Sequence, residues 1–428
     1  MSASEYLDTI RFLSDRLVAA QQPIRVLNAI AWDDSIRSEF FASGCRREPI
    51  VDADYYRGRP LSFDSVETSR SFRALHDEIE QRLGARDPAA EIMMRMCREY
   101  DHVIDMLEAR GTRAFAELSS DLYGRTTDAF FPGQGNLNDL ATILDETLTL
   151  ADQSAFLDQA QRDIPTERAV TILQERLDQT MQVDGMGVQV RVDDGIVADA
   201  AAGSDYIKLR QGAKFSLREL ALLEAHEGWV HVGTTLNGRA QPHCTFLGKG
   251  TPATTTTQEG LAVLVEVTSL RSHPTRLRRI TDRIHGIQLA EDGASFLEVF
   301  RYFTERGRSE SEAWSLVARI YRGGLPTAGP FAKDLSYSKG FVMIYNFLRL
   351  AIRRGRMDRI PLLFVGKMVL DEVGLIADLV EQDVIVAPRF LPPVFADPSA
   401  LVSWLAFSNF LNRIDLSRAE ASFADLLD

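Results

Sequence analysis

A chain of 428 residues, 45% hydrophobic and 25% charged, is long enough to bury a sizeable core and has the composition of a soluble globular protein. Its net charge of −13 excludes the basic surface that a dedicated nucleic-acid binder needs and disfavours an anionic membrane as partner. Three widely spaced cysteines, Cys45, Cys97 and Cys244, with no C-x-x-C pair, exclude a disulfide framework and a thiolate zinc site.

The N-terminal stretch "MSASEYLDTIRFLSDRL" carries acids and lacks an apolar core segment, so it does not read as a secretory signal. No run of about 18 uncharged apolar residues follows anywhere, so no membrane span is expected. The expected address is the cytoplasm. Residues 1–150 read as an N-terminal helical region: "EYLDTIRFLSDRLVAAQ" puts Leu7, Ile10, Leu13, Leu17 and Val18 on one face at helical spacing. "SVETSRSFRALHDEIEQRL" and "AEIMMRMCREYDHVIDMLEA" repeat the pattern. The turn-rich "FFPGQGNLND" marks a boundary.

Between about 165 and 215 the pattern changes. "GVQVRVDDGIVADAAAGSDYIKLRQGAKF" alternates apolar and polar residues around a D-D-G turn at Asp193 to Gly195, which predicts two or three antiparallel strands. "SLRE" then supplies a capping box, with Ser216 as N-cap and Glu219 three residues on. The helix it opens runs into "LLEAHEGWVHVG". Further on, "TTQEGLAVLVEVTSLRS" reads as a buried helix capped at Thr256 or Thr257, and "SESEAWSLVARIYRGG" as a helix with Trp314, Val317 and Tyr321 on one face, stopping at Gly323. Two arginine-rich stretches, "RSHPTRLRRITDR" and "RRGRMDR", read as solvated faces of an acidic chain.

His226 and His231 stand five residues apart with Glu227 after the first, one residue longer than the H-E-x-x-H zinc helix. On a regular helix a spacing of five turns two side chains roughly 140° apart. A π-bulge brings them back to within roughly 50°, so the spacing predicts a bulge or a break between Gly228 and His231. A third ligand is needed for a catalytic zinc. Glu259, 28 residues after His231, completes a His2Glu set, and His243 in the intervening loop competes for the place. Glu227 is placed to act as general base, and Glu266, seven residues after Glu259, to hold the free N–H of a ligand histidine. Trp229, inside the motif, is expected in the core. The overall expectation is an α+β, mainly helical fold with a zincin-like, gluzincin-type metallopeptidase core over residues 151–428 and a small antiparallel sheet beside the active-site helix.

"HEGWVH" followed by "TQEGLAVLVE" resembles the tyrosine carboxypeptidase family with an H-E-x-x-x-H motif. That family includes the eukaryotic microtubule-associated tyrosine carboxypeptidases and bacterial flavohaemoglobin expression-modulating QEGLA-motif proteins. The signature stands verbatim as Gln258, Glu259, Gly260, Leu261 and Ala262, and the likeness extends to "FSLREL", "RGG", "FAKDLSYSKG" and, more weakly, "QQPIRVLNAIAWD". The resemblance implies zinc on His226, His231 and Glu259, catalysis by Glu227, and a peptide or protein C-terminus, with tyrosine as a terminal residue in the eukaryotic relatives, as substrate. A carboxypeptidase also needs a cation for the terminal carboxylate and a donor for the oxyanion. "YRGGLPTAGPFAKDLSYSKGF" offers Arg322 and Lys333 for the first and Tyr337 for the second, with Lys339 nearby. The alternative from another class is a regulatory or binding protein that keeps the metal site without turnover.

Overall fold

In the computed structural model, residues 1–152, 161–182, 185, 187–196 and 198–427 are described. Val197, within the expected strand region, lies outside them. Eight helices come first: α1 (Ala3–Gln21), α2 (Val26–Ala29), α3 (Asp34–Ala42), α4 (Ala53–Arg57), α5 (Ser65–Leu83), α6 (Pro88–Glu108), α7 (Arg113–Tyr123) and α8 (Leu137–Asp152). Their starts are written locally. Ser2 opens α1 with a capping box to Glu5, while the side chains of Asp64 and Asp87 accept backbone N–H groups at the starts of α5 and α6. Ile10, Leu13 and Leu17 of α1 are buried as their spacing predicts, and α6 buries Met93, Cys97, Tyr100 and Ile104 along one face.

The strand region departs from the expected antiparallel meander. β1 (Ile164–Pro165) pairs antiparallel with β5 (Lys214–Phe215). Between them come α9 (Thr166–Thr180), β2 (Gln189–Asp193), β3 (Ala200–Ala202) and β4 (Tyr206–Arg210). The three-stranded sheet has the order β2-β4-β3, with β2 parallel to β4 and only β3 antiparallel to it. The D-D-G turn does not join a hairpin. Asp193 instead accepts the Gly195 N–H and ion-pairs with Lys208 across the parallel pair, and the chain passes over to the far edge. β3 is left as an edge strand.

α10 (Leu217–Leu223) starts at the expected Ser216–Glu219 capping box. It continues without a break into a π-helix, Glu224–Val232, and then α11 (Gly233–Arg239). α12 spans Pro252–Thr268, so the expected caps at Thr256 and Thr257 are corrected. Thr251 caps the helix in a box with Thr254, and Pro252 takes the first turn, where its missing N–H costs nothing. Glu259 is therefore two turns inside α12 rather than at its start. α13 (Pro274–Glu291), α14 (Phe296–Glu305), α15 (Glu310–Tyr321), α16 (Ser336–Arg353), α17 (Val373–Glu381), α18 (Pro393–Ala396), α19 (Pro398–Leu411) and α20 (Leu416–Leu427) complete the chain.

α12 and α16 cross at two glycines. A Cβ on Gly260 would lie 2.2 Å from the Gly340 carbonyl carbon, and one on Gly340 would lie 1.9 Å from the Thr256 oxygen. This backbone-to-backbone approach accounts for the glycine of QEGLA and the glycine of "SYSKG". Leu261 and Ala262 are fully buried. One hydrophobic cluster runs from Ile10 in α1 through α6, the sheet and α12 to Leu405 in α19. Among the described residues, no helix is long and apolar enough to cross a membrane.

Candidate metal centre

The π-helix is held at both ends of its widened turn. Glu224, its first residue, is buried and accepts from Arg271 at 2.6 Å, with Arg176 at 3.5 Å. Trp229 is buried, as expected, and donates its indole N–H to Thr180 Oγ1 at 3.1 Å while the Arg271 guanidinium lies 4.1 Å above its ring. Gly228 makes room for α9, because a Cβ there would sit 2.5 Å from Leu177 Cδ2. The extra residue of H-E-x-x-x-H is thus absorbed by π-turns instead of a helix break.

The consequence is that both imidazoles meet. The rings of His226 and His231 stand edge to face at 4.7 Å, with their Nε2 atoms 3.2 Å apart. Glu259 Oε2 reaches in from α12, 3.4 Å from His226 Nε2 and 3.5 Å from His231 Nε2. These three residues are the one metal-capable cluster among the described residues, and His243 is not part of it. Tetrahedral ligands at the usual zinc distances are separated by about 3.3 Å. The three edges of this triangle fit that value. Glu259 Oε2 is also buried without a hydrogen-bond donor, although both imidazoles approach it. A buried carboxylate oxygen left in that state is strongly unfavourable unless a cation takes it.

The surroundings fix the orientation of the set. His226 Nδ1 lies 2.6 Å from Glu266 Oε1, a carboxylate oxygen that accepts, so Nδ1 carries a proton and Nε2 is the atom turned to Glu259 and His231. Glu266 is fully buried and is gripped by Arg276 through two bonds of 3.1 and 2.9 Å. Burial would raise its pKa, but Arg276 and His226 bring it down to about 2. Burial likewise opposes a charge on His226, yet the Glu259 and Glu266 carboxylates outweigh it and lift the imidazole to about 10. For Glu259, burial is overcome by the Lys333 ammonium and the two imidazoles, and its pKa falls well below the usual carboxylate range. In the metal-free chain a proton supplies the positive charge that these carboxylates require.

Glu227 points one oxygen at the backbone N–H of Ala202 in β3, at 3.0 Å, and leaves the other 4.0 Å from His226 Nε2. The edge strand therefore aims the carboxylate at the centre. Tyr337, at the first turn of α16, stacks its ring on His226 at 6.1 Å between centroids. Its hydroxyl makes no hydrogen bond with any described residue. Lys333 donates to Glu259 Oε1 at 3.3 Å. Arg322 ends α15 and lies 5.5 Å over the Phe331 ring, where burial lowers its pKa to about 10. Lys339 turns toward Asp128 at 4.0 Å.

Residues 38–413 match the family of microtubule-associated tyrosine carboxypeptidases. The chain belongs to that family. Its type of activity is accordingly that of a carboxypeptidase. No curated protein matches the chain. Among solved structures, Trypanosoma cruzi metallocarboxypeptidase 1 is similar at 13% identity and a TM-score of 0.45, covering 90% of this chain and 96% of that one. "The Structure of CHT" is similar at 12% identity and a TM-score of 0.36, over 89% and 94%. At such values neither structure bears on function.

One part of this family member's centre has no counterpart in the sequence reading. "RSHPTRLRRITDR" is not a solvated face: Arg271 binds Glu224, Arg276 binds Glu266, and Arg283 lies 4.3 Å over the Tyr337 ring with its side chain 13% exposed. The Pro274 start of α13 lays this stretch along the end of α12, where buried acids attract it. Lys367 was also missed. It sits half-buried in the field of Glu259 and Glu227, and burial, the larger effect, lowers its pKa. "RRGRMDR", by contrast, is exposed over Arg353 to Asp358.

Proposed function

We propose that this chain is a zinc-dependent carboxypeptidase with a zincin-like core, cutting the terminal residue from exposed peptide or protein C-termini. The observation that carries the proposal is the triangle of His226, His231 and Glu259, whose edges suit a tetrahedral ion and whose carboxylate oxygen lacks any other partner. A zinc ion held there supplies Lewis acidity, polarising the scissile carbonyl and making a water more acidic.

The protein's own groups do the rest. Glu227, anchored by Ala202, uses its free oxygen to take a proton from the attacking water and passes it to the leaving amine. Tyr337, with its ring fixed against His226 and its hydroxyl uncommitted, donates to the developing oxyanion. Lys333 spends one of its three donors on Glu259; with Arg322 it provides the cationic side for the substrate's terminal carboxylate. Glu266 and Arg276 hold His226 in the tautomer that the metal needs.

Metal analysis of the purified chain beside Glu259→Ala tests the ligand set, and equal zinc in both would refute it. Turnover is tested by mass spectrometry of a peptide library with Glu227→Gln as control. The wild type is expected to shorten peptides by one C-terminal residue, and the variant to do so at least 100-fold more slowly. If both leave the library unchanged, the binding or regulatory reading replaces the peptidase.

A further inference from the structure

The 14 residues of α19, Pro398–Leu411, include no charged side chain. A helix of that composition is normally covered on every side, whereas a helix facing water has a polar outer face. α19 is covered on one side only. Leu401, Leu405 and Ser408 are buried. The contact with α16 is fixed by Arg349 Nε, which donates to Asn409 Oδ1 at 3.1 Å, and by the Trp404 and Tyr345 rings, which meet edge to face at 6.0 Å.

The outer side is apolar as well. Trp404, Phe407, Leu411 and Ile414 follow one another at the alternating spacing of three and four that marks a helix–helix seam, and Phe410 widens the stripe. Beyond the turn at Asn412–Asp415, Leu416 and Phe423 stand two helical turns apart on one face of α20. All seven side chains are between 44% and 77% exposed. They make up a third of the large apolar side chains that the described residues expose, gathered within 20 positions. α20 does not cover the stripe of its own chain, since Phe407 is 70% exposed. A helix of 12 residues is marginal in water without a packing partner.

Area and charge select the partner. At roughly 200 Å² for a complete side chain, these exposures leave about 800 Å² of apolar surface in water. The largest such patch on a typical monomer is about 300–600 Å², and a stable interface takes about 800 Å² from each partner. Arg413 and Arg418 stand against Asp415 and Glu420, so this face is neutral although the chain carries −13. Two acidic chains can therefore meet here without opposing like charges. A bilayer suits the face less well, because a helix lying on a membrane surface carries an excess of lysine and arginine.

We infer that the α19–α20 face is the contact surface of a two-fold dimer, occupied by the same face of a second copy of this chain. Such a contact sets the same patch against itself, with Trp404, Phe407 and Phe410 as its aromatic anchors. The surface is separate from the residues assigned to the metal centre.

Sedimentation velocity of the whole chain at micromolar concentration tests the inference. The wild type should sediment as a dimer, and Phe407→Glu should raise the dissociation constant by at least about 30-fold. Val66→Glu, equally exposed but on α5, should leave the dimer unchanged. Each variant is accepted only with the far-ultraviolet circular dichroism of the wild type. Should the added charge unfold α19, Phe407→Ala carries the test, with a weakening of about tenfold. A monomeric wild type overturns the inference, and one that also floats with phosphatidylcholine vesicles assigns the face to a lipid surface instead. A dimer that survives Phe407→Glu, or that Val66→Glu also dissociates, overturns it too.

Discussion

Glu266 has no exposure to solvent, and its full charge is used twice, by His226 and by Arg276. Glu266→Gln keeps an acceptor for His226 Nδ1 but removes the charge that makes Nε2 a strong ligand, and it strands Arg276 in the interior. Metal affinity should fall about 10- to 100-fold, as for other residues that orient a ligand histidine; competition with a calibrated chelator measures it. The proton on His226 gives a second, independent readout. With its pKa raised to about 10 in the metal-free chain, His226 stabilises that chain fully below its unfolded value of about 6.5 and progressively less as pH rises toward 10. Glu266, lowered to about 2, contributes above its unfolded value of about 4.3 and loses its contribution as pH falls toward 2. Metal must displace the His226 proton, so binding between pH 7 and 9 should release about one proton and tighten roughly tenfold per pH unit from this group. Binding that releases no proton there would contradict the charge balance argued for the centre.

The glycine pair at the α12–α16 crossing places Glu259. It allows the two backbones to touch one residue beyond the proposed ligand. Gly340→Ala puts a methyl group where the Thr256 carbonyl oxygen stands, 1.9 Å away, and backbone on both sides leaves no rotamer to escape to. The expected cost is at the upper end of overpacking, about 3 kcal/mol or more in urea unfolding, accompanied by loss of zinc because Glu259 moves with α12. Gly374→Ala, which meets nothing within 4 Å, is the control. At this scale the limits of sequence reading are visible. The Ser216–Glu219 box and the α1 face could be read because their partners lie within a turn or two. The start of α12 was misplaced because four threonines in succession, with Thr251 a few residues before them, offer several equivalent caps, and only the chain around Pro252 distinguishes them. The parallel β2–β4 pairing and the burial of Arg276 depend on partners brought by the rest of the fold, and no local pattern encodes them. The His226–His231 spacing was legible in a different way: it demanded a distortion, and the π-helix is that distortion.

For the molecule as a whole, the centre joins parts that are remote in sequence: the π-helix, β3, α12, α13 and the turn carrying Lys333. A single hydrophobic cluster also connects α1 to α19. Unfolding any of these parts exposes that core, so the chain should melt in one cooperative transition, and the metal should act on all of it. Zinc free at about 1,000 times its dissociation constant adds about 4.1 kcal/mol to stability. At about 2.1 cal/mol/K per residue over 428 residues, the unfolding entropy is roughly 0.9 kcal/mol/K, so chelation should lower the thermal midpoint by about 4–5 °C. Differential scanning calorimetry with and without chelator measures the shift, and Glu259→Ala should show none. Two transitions of which only one responds to chelator would mean that residues 1–150 unfold separately from the metal-binding part. The responding transition would then move further, because fewer residues share the same binding free energy.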